Sequence, residues 1–167
     1  MTTPGRLELV RTARQLIIFS AVGDSMPIVE AQGSIFDSGA DRLVNPVNTF
    51  GVMGAGLALE FKQRFPEAFV AYRAACQRGE VRIGEMFLSG RVIHFPTKEH
   101  WKAPSRLEYV ERGLVSLVAV MKAQDTRTIA IPALGCGLGG LAWSDVRARI
   151  EQALHDVDAQ VYLFGPR

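Results

Sequence analysis

Apolar positions along the chain follow two different periods. Short runs rich in apolar and β-branched residues predict strands at residues 15–20, 27–31, 43–47, 85–88, 91–95, 128–133 and 160–164. Longer stretches in which apolar residues recur every three or four positions predict helices at residues 54–64, 66–77, 105–123 and 144–157. Because strands alternate with helices, we expect an α/β domain whose largely parallel sheet is covered on both faces. Ligands of such folds bind at the carboxyl ends of the strands.

Two of the predicted helices have a clear apolar face and a candidate cap. The helix at residues 105–123 carries one apolar stripe, formed by Leu107, Val110, Leu114, Leu117, Val118 and Met121. Ser105 and Glu108 have the spacing of a capping box at its start. Ser144 is the candidate N-cap of the last helix, whose apolar side is formed by Val146, Ile150 and Leu154. Both helices are therefore expected to pack one face against the core.

Composition and charge narrow the class of protein. The chain has 167 residues, of which 48% are hydrophobic and 22% are charged, and these values are typical of one globular domain. We expect a single domain over residues 1–167, with residues 1–14 as a loosely ordered extension. The formal net charge of +2 argues against a strongly basic nucleic-acid coat. Any anionic ligand must therefore be held by a local group of donors.

Cysteine spacing indicates whether a metal or redox centre is present, and the length of the apolar runs indicates whether the chain crosses a membrane. Cys76 and Cys136 form neither a Cys-x-x-Cys pair nor a cluster with histidine at ligand spacing, so no metal, redox centre or other cofactor is expected. No apolar run approaches the roughly 18 residues of a membrane span. The N-terminal segment also lacks the pattern of a secretory signal. We therefore expect a cytoplasmic protein that does not bind a membrane.

A first glycine-rich loop follows the strand predicted at residues 43–47 and leads into a helix. Its candidate ligand-binding residues are Asn45, Asn48, Gly51, Val52, Met53, Gly54 and Gly56. Glycines allow a ligand to approach the backbone closely, and amide groups at a helix start attract phosphate. The two asparagines add neutral donors and acceptors suited to ribose hydroxyls. A tight strand-to-helix turn that binds nothing is the alternative interpretation of the glycines alone.

A second glycine-rich loop follows the strand predicted at residues 128–133. Its candidate binding residues are Gly135, Cys136, Gly137, Leu138, Gly139 and Gly140. Closely spaced glycines can present a row of backbone amides that wraps an anion. The loop lacks the Gly-Lys-Ser/Thr ending of nucleoside triphosphatases, and it lacks the glycine spacing of dinucleotide folds. Triphosphate hydrolysis and nicotinamide-dependent hydride transfer are therefore disfavoured.

A lysine follows a third predicted strand, at residues 91–95. Lys98 comes after Pro96 and Thr97, where a strand end would point it into a cleft. In a cleft it could act as a cation or, when deprotonated, as a nucleophile toward an electrophilic carbon. The simpler alternative is a solvated loop lysine. His94 and His100 are more typical of packing or surface positions than of acid–base groups.

Four segments in this order resemble a known family. They are residues 44–48 (Val-Asn-Pro-Val-Asn), residues 51–58 (Gly-Val-Met-Gly-Ala-Gly-Leu-Ala), residues 95–98 (Phe-Pro-Thr-Lys) with Trp101, and residues 132–143 (Pro-Ala-Leu-Gly-Cys-Gly-Leu-Gly-Gly-Leu-Ala-Trp). The chain is similar over about residues 28–166 to macrodomains, and most similar to the DNA ADP-ribosyl glycohydrolase antitoxins of the DarG type. The resemblance implies a three-layer α/β/α fold with a mixed, largely parallel sheet that binds ADP-ribose.

The resemblance also implies roles for individual residues. Lys98 matches the catalytic lysine that acts at the anomeric carbon, and Asn48 matches the asparagine at the distal ribose. The loop at residues 135–140 matches the one that wraps the phosphates, and the loop at residues 51–56 matches the one over the distal ribose and diphosphate. Ser34 replaces an aspartate that meets adenine, which leaves adenine to the backbone of Ile35 and to stacking.

The implied activity is removal of ADP-ribose from ADP-ribosylated DNA bases, in single strands, which reverses a DNA ADP-ribosyltransferase toxin. A cognate toxin is thus an expected partner. Family antitoxins carry a further C-terminal region, so this chain is expected to be either a standalone enzyme or part of a longer protein. Two alternatives stay open. The pocket could hold ADP-ribose without turnover, or the enzyme could act on ADP-ribosylated protein or on small ADP-ribose derivatives. Lys98 favours the enzyme, because a binding module needs no lysine at the distal ribose.

Overall fold

A computed structural model describes residues 9–12, 15–18 and 28–167 of the chain. The strands are β1 Leu9–Thr12, β2 Gln15–Ile18, β3 Ile28–Ala31, β4 Arg42–Asn48, β5 Phe87–Ser89, β6 Val92–Lys98, β7 Thr128–Ile131 and β8 Gln160–Phe164. The helices are α1 Gly56–Arg64, α2 Pro66–Gln77, α3 Leu107–Ala123 and α4 Trp143–Leu154, with a short 3-10 helix at Ile35–Asp37. These elements alternate along the chain as the sequence predicts.

The described strands form a two-stranded hairpin and a six-stranded sheet. Strands β1 and β2 pair antiparallel, and the larger sheet has the order β3-β8-β7-β4-β6-β5. Every neighbouring pair in that sheet is parallel except β5 with β6, which is antiparallel. The prediction of a mixed, largely parallel sheet is confirmed.

The parallel strands place several loops at one edge of the sheet. Strands β3, β4, β6 and β7 point the same way, so the segments that follow them, at residues 32–41, 49–55, 99–106 and 132–142, emerge together. We call this the carboxyl edge. Loops at this edge of an α/β sheet are the usual place for ligands.

Helices cover both faces of the sheet, which gives three layers. On one face α3 and α4 pack on the sheet through a core that includes Val110, Leu114, Ile150 and Leu154. On the other face Phe61 of α1 and Ala68 of α2 belong to clusters with strand residues. The apolar stripe predicted for α3 is confirmed, because its members are buried or packed against the core.

One glycine lets α3 approach the sheet. A Cβ atom on Gly113 would lie 2.3 Å from the ring of Phe95 on β6. Since real Cβ atoms do not come that close to a ring, the helix can take this position only with a glycine there.

Both predicted serine caps are wrong. Arg106 is the N-cap of α3 and Ala142 the N-cap of α4, and neither has a side-chain capping bond. Ser105 is instead buried beneath the second glycine-rich loop, and Ser144 lies inside the first turn of α4. Packing against that loop takes Ser105 away from the helix terminus.

Strand β1 was not expected, and the predicted strands at residues 15–20 and 27–31 extend at one end outside the described residues. Most of the predicted loose extension at residues 1–14 also lies outside them, so it stays a prediction.

Candidate active site at the carboxyl edge of the sheet

Asn48 ends β4 and organises the first glycine-rich loop. Its side-chain oxygen accepts hydrogen bonds from the amides of Phe50, Gly51 and Val52, at 3.1, 3.0 and 3.3 Å. Its side-chain nitrogen donates to the carbonyl oxygen of Val52 at 2.8 Å. The carboxamide of Asn48 therefore shapes the loop itself, and one N–H remains for a ligand.

Tyr72 supports this arrangement from α2. Its hydroxyl donates to the backbone carbonyl oxygen of Asn48. Burial, with a smaller contribution from the Cys76 thiol, raises the pKa of Tyr72 and keeps it a neutral donor. Sequence reasoning missed Tyr72. Its place within the amphipathic pattern of α2 marks it only as a core residue.

The glycine-rich loop leaves free donors beyond Asn48. In this part of the described chain, the amides of Met53, Gly54 and Ala55 donate no hydrogen bond within the protein. They lead into the N-terminus of α1, where unpaired amides and the helix dipole favour an anion. Gly51 is buried at a φ of +98°, a backbone conformation that requires glycine.

Lys98 is the last residue of β6 and is paired with Asn48. The register between β4 and β6 shifts after Val47, so that Val47 pairs with Pro96 while Asn48 pairs with Lys98. Thr97 is the extra residue of this bulge. Bulges redirect the side chains that follow them, and they accommodate a proline that cannot donate to the ladder. The predicted strand ended at residue 95, since a proline in a strand interior is uncommon.

The amine of Lys98 is partly withdrawn from water. Its Nζ donates to the carbonyl oxygen of Trp101 at 3.2 Å. Desolvation lowers the pKa of Lys98, because burial penalises the charged ammonium. No carboxylate forms an ion pair with it in the described chain. Both facts favour a larger neutral fraction of the amine than an exposed lysine has.

The second glycine-rich loop presents a row of free amides. Gly137, Leu138 and Gly139 donate no backbone hydrogen bond to the rest of the described chain. The loop is closed below them by bonds from the amide of Gly140 to the carbonyl oxygen of Gly137, 3.1 Å, and from the amide of Leu141 to that of Gly135, 2.9 Å. A Cβ on Gly137 would meet no atom within 4 Å, so this residue faces open space. Such a row can hold a diphosphate.

Gly139 has a different environment from Gly137. A Cβ there would lie 2.2 Å from the hydroxyl oxygen of Ser105 and 2.5 Å from the carbonyl oxygen of Gly135. The amide of Ser105 also donates to the carbonyl oxygen of Gly139 at 3.0 Å. The packed Ser105 therefore excludes any side chain at residue 139, a carboxylate included.

Cys136 lies in the same loop as a half-buried thiol. Burial raises the pKa of Cys136 to about 11, so the group stays protonated at neutral pH. A protonated thiol is a poor nucleophile, because the thiolate is the reactive form.

Ser34 and Ile35 lie after β3 at the same edge. Ser34 caps the short 3-10 helix, since its hydroxyl accepts from the amide of Phe36 at 3.3 Å. Ile35 is buried, with 2% of its surface exposed. The serine hydroxyl is thus already engaged locally, whereas the backbone of residue 35 remains at the edge for recognition of a ligand.

Asn45 and His94 lie deeper, side by side on β4 and β6. Asn45 Nδ2 is 3.3 Å from His94 Nδ1 and 3.7 Å from the sulfur of Met53. His94 stacks against Tyr72 with ring centroids 5.1 Å apart. Burial lowers the pKa of His94 to about 4, so its ring is neutral at physiological pH. These two residues support the loop from below, which agrees with a packing role for His94.

His100 lies farther out, between the exposed rings of Phe50 and Trp101.

The described residues hold no group of three or more His, Cys, Asp or Glu side chains that could bind a metal ion. Nor does this part of the chain contain a helix with the length and apolar character needed to cross a membrane.

Comparison with known proteins identifies the family. The model of the Macro domain matches residues 44–150, which include both glycine-rich loops and Lys98. This chain belongs to the macrodomain family. The fold and the family predicted from the four sequence segments are thereby confirmed.

Among curated proteins, this macrodomain is similar to the DNA ADP-ribosyl glycohydrolase of Mycobacterium tuberculosis. The two are 47% identical over 146 residues, which cover 81% of this chain and 42% of that protein. The chain therefore spans about two fifths of the length of this relative.

Solved structures agree. The macrodomain of Mycobacterium tuberculosis DarG matches with a TM-score of 0.83 and 42% identity, over 84% of this chain and 99% of that one. Thermosipho africanus DarTG in complex with ADP-ribose matches with a TM-score of 0.76 and 30% identity, over 95% of this chain and 43% of that one.

Proposed function

We propose that this macrodomain is an ADP-ribosyl glycohydrolase that removes ADP-ribose from modified DNA bases. The observation that carries the proposal is the pairing of Lys98 with Asn48 at the carboxyl edge, where two loops rich in unpaired amides also emerge. A partly desolvated amine at this place can attack the anomeric carbon of the distal ribose. Its relatives' name, DNA ADP-ribosyl glycohydrolase, supports DNA as the carrier of the ADP-ribose.

The two loops divide the work of binding. The free amides of residues 137–139 hold the diphosphate, and those of residues 53–55 at the start of α1 add to the same field. The backbone of Ile35 is left to recognise adenine. The remaining N–H of Asn48 reaches the distal ribose. Holding the sugar at several points restricts it to one orientation toward Lys98, which lowers the entropic cost of reaction.

Lys98 supplies the nucleophile. Its neutral amine forms a bond to the anomeric carbon, while the bond from that carbon to the base nitrogen breaks. The base leaves with the electron pair of that bond and takes up the proton that the amine nitrogen loses when it bonds to carbon. Water then replaces the lysine, which releases ADP-ribose and restores the amine. Opening of the sugar ring during this sequence gives an imine between Lys98 and the carbon.

A cognate toxin partner and a role as antitoxin belong to the same proposal. A curated relative is a fusion of DNA ADP-ribosyl transferase and DNA ADP-ribosyl glycohydrolase, and it is 34% identical to this chain over 158 residues. By analogy, this macrodomain reverses the modification that such a transferase makes in the cytoplasm.

The decisive experiment compares carriers of the modification. The purified protein is incubated with a single-stranded oligonucleotide that carries ADP-ribose on a base, and separately with an ADP-ribosylated protein. Release of ADP-ribose from DNA alone is expected. Release from the protein alone would show that the substrate is an ADP-ribosylated protein. Release from neither, with measurable binding of ADP-ribose, would show that the domain is a binding module.

The binding module remains the second candidate because of Asn48. Its carboxamide oxygen is fully engaged by the loop amides. These hydrogen bonds give the loop a fixed shape, which a domain that only binds ADP-ribose needs as much as an enzyme does. Borohydride trapping separates the two functions, since only a reacting lysine forms a reducible imine with the substrate.

A further inference from the structure

Three aromatic rings stand in a row beside Lys98, and the proposed reaction gives none of them a role. Phe50 follows β4, whereas His100 and Trp101 follow β6. The rings of Phe50 and His100 are 4.7 Å apart at 63°, and those of His100 and Trp101 are 5.5 Å apart at 27°. Phe50 is 60% exposed and Trp101 is 46% exposed. We call these three residues the aromatic row.

The backbone holds the aromatic row in place. The amide of Thr49 donates to the carbonyl oxygen of Lys98 at 3.1 Å, and its hydroxyl donates to that of Glu99 at 3.0 Å. The amide of Lys102 donates to Nδ1 of His100 at 3.2 Å. The two loops are thus tied together, and the backbone that carries the exposed rings is held in place before any partner arrives. A preformed surface loses little entropy on binding.

Positive charge borders the row on the side of β6. The amine of Lys102 lies over one face of the Trp101 ring, 4.8 Å from its centre, so a base can stack on that face only when the lysine side chain moves aside. Glu99 is the acidic residue of the same loops and is exposed. With Lys98, whose Nζ donates to the carbonyl oxygen of Trp101, residues 98–102 contain two cations and one anion.

Exposed rings bordered by cations fit a single strand of nucleic acid. Bases stack on aromatic side chains whatever their identity, while lysine and arginine follow the phosphates. Bases paired inside a duplex do not offer their faces in this way. Lysine is depleted at protein–protein interfaces, so the lysines beside the row favour nucleic acid over a protein partner.

We propose that the aromatic row is a stacking platform for the nucleobase next to the modified one. This inference rests on the proposed function, because the row lies beside Lys98. It predicts that the enzyme prefers a modified base within a single strand to the same base in a duplex or as a free nucleoside. The strand would pass over Trp101 and Phe50 while its modified nucleotide enters the site.

The test compares two substrates that carry ADP-ribose on the same base. One is a free nucleoside, and the other is a single-stranded oligonucleotide of about ten nucleotides, within the usual footprint of such sites. Trp101→Ala and Phe50→Ala should each lower kcat/KM on the oligonucleotide roughly tenfold relative to the nucleoside, which is the scale of one lost stacking contact. Trp101→Phe should restore most of the ratio. Val115→Ala, which removes an exposed apolar side chain on α3, is the matched control.

Binding of unmodified DNA gives a second and independent measurement. In fluorescence anisotropy, the wild-type protein should bind a labelled single-stranded oligonucleotide more tightly than the corresponding duplex, and binding should weaken as salt rises. Trp101→Ala should lose this preference. Because no ADP-ribose is involved, this measurement decides on the platform even if the wild-type protein releases ADP-ribose from neither substrate.

Three outcomes would overturn the proposal. The variants could lower the rates on both substrates by the same factor, which would show that the row acts on the site and not on a neighbouring base. The duplex could bind as tightly as the single strand. Wild-type protein and Trp101→Ala could also bind DNA equally, which would show that the row does not contact DNA and would favour a different kind of partner, such as a protein.

Discussion

Lys98 is the proposed nucleophile, and its replacement should separate catalysis from binding. Lys98→Ala should lower kcat by about a thousandfold while the Kd of ADP-ribose changes only a few-fold, because bonding to the anomeric carbon exists only in the transition state. Single-turnover kinetics on the modified oligonucleotide and calorimetry with ADP-ribose measure the two quantities. Lys122→Ala, in the last turn of α3, is the control. Full activity of Lys98→Ala would remove this residue from the mechanism.

The protonation of Lys98 makes a separate prediction. Desolvation lowers the pKa of its amine, and only the neutral amine can attack carbon. The rate at low substrate concentration should therefore rise with pH and level off at a pH below the ordinary titration of lysine. A purely electrostatic role of the ammonium predicts the opposite, a rate that falls over the same range. The pH profile of kcat/KM decides between the two.

The two central glycines of the second loop should respond differently to substitution. Gly137→Glu brings a negative side chain into open space where the diphosphate is proposed to sit, so it should abolish ADP-ribose binding with little change in thermal stability. Gly139→Ala instead forces its Cβ against Ser105 and should lower the stability by about 1–3 kcal/mol. Gly137→Ala is the matched control, with stability near that of the wild type. Thermal unfolding with and without ADP-ribose measures both effects.

At the scale of secondary structure, one glycine sets how closely α3 lies on the sheet. Gly113→Ala would bring a methyl group to 2.3 Å from the Phe95 ring, and relief of this overlap requires the helix or β6 to move. We expect a loss of about 1–3 kcal/mol in the free energy of unfolding, and a displaced β6 should also lower the rate at Lys98. Urea unfolding measures the first effect. Phe95→Leu in the same chain should recover part of the stability, which a purely local helix effect would not allow.

The elements themselves were largely predictable because their signals are local. Periodicity predicts α2 with its observed limits, residues 66–77, and α3 to within two residues. The glycine spacing likewise identifies both loops. The bulge at Thr97 was not predictable, since it depends on how β4 and β6 pair. The burial of Ser105 also escaped prediction, because the loop that buries it comes about thirty residues later in the chain.

At the scale of the whole molecule, the buried ring of His94 links stability to acidity. Its pKa is about 4 in the folded protein, whereas an unfolded chain would protonate it near 6.5. The unfolded state therefore binds more protons between these values, and stability falls as the pH is lowered through this window. The loss due to His94 between pH 7 and pH 4 is on the order of 3 kcal/mol.

Urea unfolding of the wild-type protein and of His94→Gln over this pH range isolates that contribution. The variant is expected to be less stable at pH 7, where it loses the stacking on Tyr72. Its stability should depend less steeply on pH than that of the wild type. Parallel curves for the two proteins would contradict the assignment of the titration to His94.

The position of β8 in the sheet has a consequence for how the chain is made. Residues 160–164 form the strand of the described sheet that is synthesised last, yet β8 lies between β3 and β7 and is the one neighbour of β3 in that sheet. Until they emerge, β3 has no partner and β7 keeps an open edge of the kind that invites pairing with other chains. The edges of β3 and β7 therefore stay unpaired in the nascent chain until β8 has been synthesised. Synthesis that stalls before residue 160 should yield aggregates and no intermediate that binds ADP-ribose.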